Sequence, residues 1–135
     1  MPRAQEWVKP WQVTEFAKLS LGGTGKPVYR IFCNTDIHEP LTQVFDELLR
    51  SHLIHELKTF DGCFNVRWVR GVEGVASMHS WAIALDFNAF SNALGQRVPG
   101  FSSDFLQIWR GAGWTVGADF HRPDPMHFEW TGPQG

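Results

Sequence analysis

A helical periodicity after Pro40 constrains the fold more than any other feature of the sequence. Large apolar side chains recur there at spacings of three and four residues, namely Leu41, Val44, Phe45, Leu48, Leu49, Leu53 and Leu57. This spacing places them on one face of a helix, and a proline at the start is a common helix signal. The pattern predicts a helix over residues 41–58 that must bury its apolar face against other elements.

The segments around this helix are rich in residues that favour strands. Strands are predicted over residues 27–34, 63–70, 81–88, 114–120 and 126–130. A second helix is expected to begin at Ser102 or Ser103 and to end at Gly111 or Gly113, and a weaker helical signal covers residues 11–19. The mixture predicts an α+β fold, with helices packed on a small, mainly antiparallel sheet.

Length and charge limit the classes of protein and partner. The 135 residues fit one domain, 1–135, which can bury roughly two thirds of its unfolded surface without a partner subunit, so we expect a monomer. The 12 basic and 14 acidic residues give a net charge of −2, which argues against nucleic-acid binding. No apolar run approaches the ~20 residues of a membrane span, so no membrane insertion is expected.

The N-terminus and the cysteines indicate a cellular context. Residues 1–7 lack the apolar stretch of a secretory signal, so we expect synthesis in the cytoplasm and any action outside it only after export or release. Cys33 and Cys63 are expected to be free thiols in a reducing compartment, with a disulfide as the alternative. Two cysteines cannot form a four-cysteine zinc site.

The first segment with chemical potential runs from Ser77 to Asp86. Strand alternation places bulky apolar side chains on one face, namely Trp81, Ile83, Leu85 and Phe87. The opposite face carries small or polar side chains, namely Ala82, Ala84, Asp86 and Asn88. Asp86 therefore stands on a floor clear of bulk, and His79 joins it only if residues 77–80 form a loop that turns back over this floor.

The second segment runs from Asp124 to Trp130. Its apolar side chains, Met126, Phe128 and Trp130, share one face, and His127 and Glu129 share the other. Pro123 and Pro125 restrict the backbone around Asp124 and take it out of regular strand pairing.

Together the two segments supply two histidines and one carboxylate as possible ligands of a catalytic zinc ion, with one carboxylate to spare. Three protein ligands with a fourth, open position are typical of such sites, and zinc lowers the pKa of bound water to about 7. A further carboxylate, Asp124, can then act as the general base. Taken singly, each histidine is more often structural or exposed than a ligand, so the residues alone leave both interpretations open.

The paired motifs resemble a known family. Ser77-x-His79 followed by Asp86, and then Asp124-x-x-His127-Phe128-Glu129, are similar to motifs of the zinc D-alanyl-D-alanine carboxypeptidases and L-alanyl-D-glutamate endopeptidases. These enzymes cut the peptide part of the bacterial cell wall. The resemblance spans residues 60–130, with alanine at positions 82 and 118 where the family typically has glycine. In its short form, without an export signal, the chain is similar to the bacteriophage branch of this family, which includes endolysins.

The resemblance implies a role for each matching residue. His79, Asp86 and His127 would bind Zn2+, and Asp124 would be the catalytic base.

An arginine upstream of the first motif stabilises the oxyanion in this family, and Arg67 and Arg70 both lie in that region. A permanently charged guanidinium suits this role. The two side chains face opposite sides of a regular strand, so one of them is expected to reach the site, with Arg67 favoured.

The function implied is a zinc metallopeptidase that hydrolyses peptidoglycan stem peptides. L-alanyl-D-glutamate endopeptidase activity is the first choice, and D-alanyl-D-alanine carboxypeptidase activity is the alternative. A non-catalytic cell-wall-binding or virion structural module is a rival of another class. A hydrolase that uses Cys33 or Cys63 as nucleophile is a third hypothesis, although the sequence suggests no cysteine–histidine pair.

Several other residues have two interpretations. His52 and His55 are three apart on the predicted helix, where an exposed face is favoured over metal chelation. Glu129 either hydrogen-bonds a ligand histidine or belongs to a polar pair. Trp81 and Trp114 flank the motifs, and core packing is favoured over substrate contact for both.

Overall fold

The computed structural model describes residues 8–14, 16–63 and 83–132. Within these ranges the elements are, in chain order, β1 (Val8–Gln12), β2 (Ser20–Leu21), β3 (Arg30–Asn34), α1 (His38–Arg50), β4 (Thr59–Gly62), β5 (Ala84–Phe87), α2 (Ser103–Gly111), β6 (Trp114–Val116) and β7 (His127–Trp130). Single turns of 3-10 helix cover Thr35–Ile37, Ile54–Glu56, Ala89–Ser91 and Gly117–Asp119. This mixture confirms the predicted α+β class.

The described strands form two sheets. Five strands pair in the order β2-β4-β5-β7-β6, and all neighbours are antiparallel except β2 and β4. A separate pair of antiparallel strands joins β1 to β3. The sheet is therefore mainly antiparallel, as predicted. Strand β5 lies in its centre, between β4 and β7, and so places Asp86 there.

Helix α1 buries the apolar face that its periodicity predicts. Its core residues are almost fully inaccessible, namely Leu41, Val44, Phe45 and Leu48. The predicted extension to residue 58 is wrong, because the helix ends at Arg50 and His52 adopts a left-handed φ of 59°. The Leu53 amide then bonds the Leu48 carbonyl at 2.8 Å, which closes the helix end. The apolar spacing continues beyond this point because the following 3-10 turn also packs on the core.

Helix α2 begins where the sequence predicts. The Ser102 hydroxyl accepts a hydrogen bond from the Phe105 amide at 3.2 Å, which satisfies one of the free donors of the first turn. Its core face carries Phe105, Leu106 and Trp109. Within the described ranges, no helix has the length and apolar character needed to cross a membrane.

The first strand corrects a second prediction. The described residues of the range 11–19 contain no helix, since β1 extends to Gln12 and pairs with β3. Burial alternates from Trp11 to Val13 with Gln12 exposed between them, which is the period of a strand. The predicted strand over residues 63–70 lies outside the described residues except for Cys63, and β4 ends at Gly62.

An aromatic core supports the strands that carry the candidate site. Phe87 of β5 and Phe128 of β7 pack against each other with ring centroids 6.0 Å apart, and Trp109 of α2 packs on Phe128 with centroids 4.3 Å apart. Trp114 joins this core and is buried, so core packing is confirmed for it. The residues adjacent to Asp86 and His127 in sequence are therefore held by close packing.

Candidate metal and catalytic site

Two predicted metal ligands lie directly opposite each other in the central sheet. Asp86 of β5 and His127 of β7 are register partners, and the Asp86 Oδ1 atom is 3.4 Å from the His127 Nδ1 atom. Their strand neighbours Leu85, Phe87 and Phe128 point into the core, so alternation turns Asp86 and His127 to the other face. The strand pattern thus brings these two donors together.

The second nitrogen of the His127 ring also has a partner. Its Nε2 atom donates to Glu129 Oε1 at 2.6 Å, since a carboxylate can only accept. His127 and Glu129 lie on the same face of β7, and the His127 side chain is only 8% exposed. The ring is held between two carboxylates, with its Nδ1 atom on the side of Asp86.

These contacts control the protonation of His127. Burial disfavours the charged ring, but the hydrogen bonds and negative charges of Asp86 and Glu129 outweigh burial and raise the pKa of His127 to about 9. The metal-free chain therefore carries His127 protonated at neutral pH. Binding of a metal at Nδ1 requires release of this proton.

The pair fits a tetrahedral zinc ion. Ligand atoms about 2.0–2.1 Å from tetrahedral zinc are separated from each other by about 3.3–3.4 Å, which matches the distance between Asp86 Oδ1 and His127 Nδ1. The bond to Glu129 is the support that ligand histidines usually have. In the described part of the chain no group of three histidine, cysteine or acidic side chains could hold a metal, and the third predicted ligand, His79, lies outside it.

The backbone of the predicted base is fixed next to His127. The Asp124 amide donates to the Gly117 carbonyl at 2.8 Å, and the Asp124 carbonyl accepts from the His127 amide at 3.0 Å. Pro123 and Pro125 flank Asp124, as the sequence shows. The backbone of the predicted base thus lies just before β7 and is bonded to that of a predicted ligand.

The turn beneath Asp124 depends on a glycine. A Cβ atom at Gly117 would collide with the Asp124 carbonyl oxygen and would lie 2.9 Å from the His127 Cβ. Arg110 of α2 ties this turn to the helix, since its Nε and Nη2 atoms each bond a carboxylate oxygen of Asp119 at 2.8 Å. Sequence reasoning did not assign these supporting roles, although Gly117 and Asp119 lie in the segment that resembles the family.

The two cysteines are buried thiols with no disulfide between them, as predicted. A hydrogen bond to Cys33 and burial raise the pKa of the Cys63 thiol well above its usual range. A buried thiol that stays protonated is a poor nucleophile, which argues against the hypothesis of a cysteine hydrolase.

Several predicted residues lie outside the described residues, namely Arg67, Arg70, Ser77, His79, Trp81 and Ala82. Their roles stay predictions. His52 and His55 are exposed, as expected, but they follow α1 rather than forming part of it.

The segment that contains this site is similar to a known protein family. A family model described as D-alanyl-D-alanine carboxypeptidase matches residues 70–130, a little under half of the chain. The matched segment contains His79, Asp86, Asp124 and His127. No curated protein and no solved structure matches the chain. The segment that carries both motifs is therefore similar to this family of peptidases.

Proposed function

We propose that this chain is a zinc-dependent peptidase that hydrolyses the stem peptides of bacterial peptidoglycan. The observation that carries the proposal is the Asp86–His127 pair, with donor atoms 3.4 Å apart, inside the segment that matches the peptidase family. The Asp124 carbonyl accepts a hydrogen bond from the His127 amide, so a candidate base adjoins the candidate ligands.

His79, Asp86 and His127 would hold the ion. When bound, zinc supplies a Lewis acid that polarises the scissile carbonyl and acidifies water. Glu129 accepts the Nε2 proton of His127, which leaves the Nδ1 lone pair for the metal and fixes the ring plane.

Asp124 is the proposed general base. Its carboxylate takes a proton from the attacking water and delivers it to the leaving amine, which must be protonated before the peptide bond can break. The bonds of the Asp124 backbone to Gly117 and His127 restrict its movement during this transfer. Arg67 or Arg70 would stabilise the negative charge that develops on the carbonyl oxygen.

Two bonds are candidates for cleavage. The paired motifs resemble both kinds of enzyme, and L-alanyl-D-glutamate endopeptidase activity is our first choice. In that case the protein would be made in the cytoplasm and would act on the wall after release. The description of the matching family model favours D-alanyl-D-alanine carboxypeptidase activity.

Mass spectrometry of the products from a defined disaccharide-pentapeptide tests the function and the bond together. An endopeptidase releases a tetrapeptide and leaves L-alanine on the sugar, whereas a carboxypeptidase removes the terminal D-alanine. We expect Asp124→Asn to lower kcat by at least about a hundredfold, and Asp46→Asn, on the exposed face of α1, to retain activity.

A rival function predicts a different result in the same assay. A non-catalytic wall-binding or virion module would bind purified cell walls but leave the disaccharide-pentapeptide intact with and without added zinc. That outcome would contradict the proposed peptidase.

A further inference from the structure

The loop between β5 and α2, residues 88–100, has its amide side chains turned inward. Asn88 adopts a left-handed φ of 55° and is buried. Its Oδ1 atom accepts from the Lys58 and Thr59 amides at 2.8 and 3.0 Å, and its Nδ2 atom donates to the Glu56 carbonyl at 2.6 Å. This one side chain ties the start of the loop to β4.

Two further amide side chains fix the rest of the loop. Asn92 donates to the Asn88 carbonyl at 3.0 Å and accepts from the Gly100 amide at 2.8 Å. Gln96 donates to the Ser91 and Val98 carbonyls at 2.7 and 2.8 Å. The loop therefore has a defined conformation although only residues 89–91 form regular structure.

The apolar side chains of this loop point outward instead. Phe90, Leu94 and Val98 are 68%, 54% and 79% exposed. A single exposed apolar residue is ordinary, whereas three on one loop held by hydrogen bonds are a candidate contact surface. The loop contains no acidic residue. Within the described ranges, neither Arg97 nor the nearby Arg122 forms an ion pair.

The loop borders both parts of the candidate site. It starts two residues after Asp86, and the Gly95 amide donates to the Pro123 carbonyl at 2.6 Å, directly before Asp124. The Arg122 Nε atom lies 4.0 Å from the position of a Cβ on Gly95. Gly95 therefore lies next to Arg122 and to the backbone that precedes Asp124.

We propose that residues 88–100 bind the glycan part of the peptidoglycan substrate. The inference rests on the proposed function. A stem peptide of alanine, glutamate and a diamino acid has no large apolar side chain to cover Phe90, Leu94 and Val98. The sugar rings to which it is attached have apolar faces of carbon-bound hydrogens that pack on such side chains. The positive charges of Arg97 and Arg122 would complement the carboxylates of the stem peptide, which is attached to the sugar.

The test compares one peptide in two forms, free and attached to its disaccharide. The wild-type enzyme should show a higher kcat/KM for the disaccharide-peptide, through a lower KM. The double variant Phe90→Ser/Leu94→Ser should lose about tenfold or more of this preference, because it removes two of the three exposed apolar side chains on which the sugar rings would pack. Phe32→Ser, at a phenylalanine 59% exposed on β3, is the matched control and should keep the preference.

An unchanged preference in the double variant, or no preference in the wild type, would overturn the inference while leaving the peptidase function in place. Cleavage of neither substrate would contradict the proposed function. Calorimetric binding of the uncut disaccharide-peptide then decides the inference: weaker binding by the double variant than by Phe32→Ser supports it, and equal binding overturns it.

Discussion

At the scale of single residues, the unusual feature is a histidine held between two carboxylates. Asp86 faces one ring nitrogen of His127 at 3.4 Å, and Glu129 accepts from the other at 2.6 Å. Two carboxylates around one imidazole would repel each other without a positive charge between them. A proton on His127 or a bound cation at Nδ1 supplies that charge.

Glu129→Gln should weaken zinc binding by about tenfold or more, because the glutamine keeps the shape of the side chain but loses the charge that makes His127 a better ligand. Competition with a chromophoric chelator measures the affinity without reference to activity. Glu47→Gln, at a partly exposed residue of α1, is the control and should bind zinc as the wild type does. Equal affinities for the two variants would show that Glu129 does not support the ligand.

The stability of the metal-free protein should fall as the pH rises from about 6.5 to 9. The folded-state pKa of His127 is raised to about 9, above the unfolded value near 6.5. The stabilisation is therefore complete below pH 6.5 and is lost as the pH approaches the folded value. This raise corresponds to a contribution on the order of 3 kcal/mol.

Urea unfolding in the presence of a chelator at pH 6 and pH 9.5 measures this effect. The His127→Gln variant provides the background from all other titrating groups and should lose less stability over the same interval. An equal loss in both proteins would contradict the assigned proton on His127.

At the scale of elements, the turn of residues 117–119 positions the loop that contains Asp124. Gly117→Ala should destabilise the fold by about 1–3 kcal/mol and lower activity, because the added methyl group overlaps the Asp124 carbonyl. Thermal unfolding and peptide hydrolysis measure the two effects. Gly111→Ala, at the end of α2 where a Cβ meets no atom within 4 Å, should be tolerated or slightly stabilising. Similar behaviour of the two variants would mean that the turn does not hold the loop.

Elements were predictable where one physical signal dominates. The Ser102 cap and the apolar face of α1 follow from local chemistry, and both are present. The end of α1 at Arg50 was not predictable from periodicity, because the apolar spacing continues past the change in backbone direction. The role of Asn88 was hidden for another reason, since its partners Glu56 and Lys58 are about thirty residues away in sequence.

At the scale of the whole molecule, the central position of β5 and β7 in the sheet organises the site. Strand alternation predicted which side chains leave the core face, but only the register of the strands places Asp86 opposite His127. That register follows from the packing of Phe87 and Phe128 on α2, which a single segment of sequence does not reveal. The α+β class was predictable because it depends on the number and spacing of the elements alone.

Elemental analysis of purified protein, combined with hydrolysis of the disaccharide-pentapeptide, tests the proposed zinc site most directly. The wild type should contain one zinc ion per chain, and His79→Ala and Asp86→Ala should lose both the metal and the activity. His52→Ala, at an exposed histidine after α1, should keep both. A His79→Ala or Asp86→Ala protein that is free of zinc and fully active would contradict the proposed metal site.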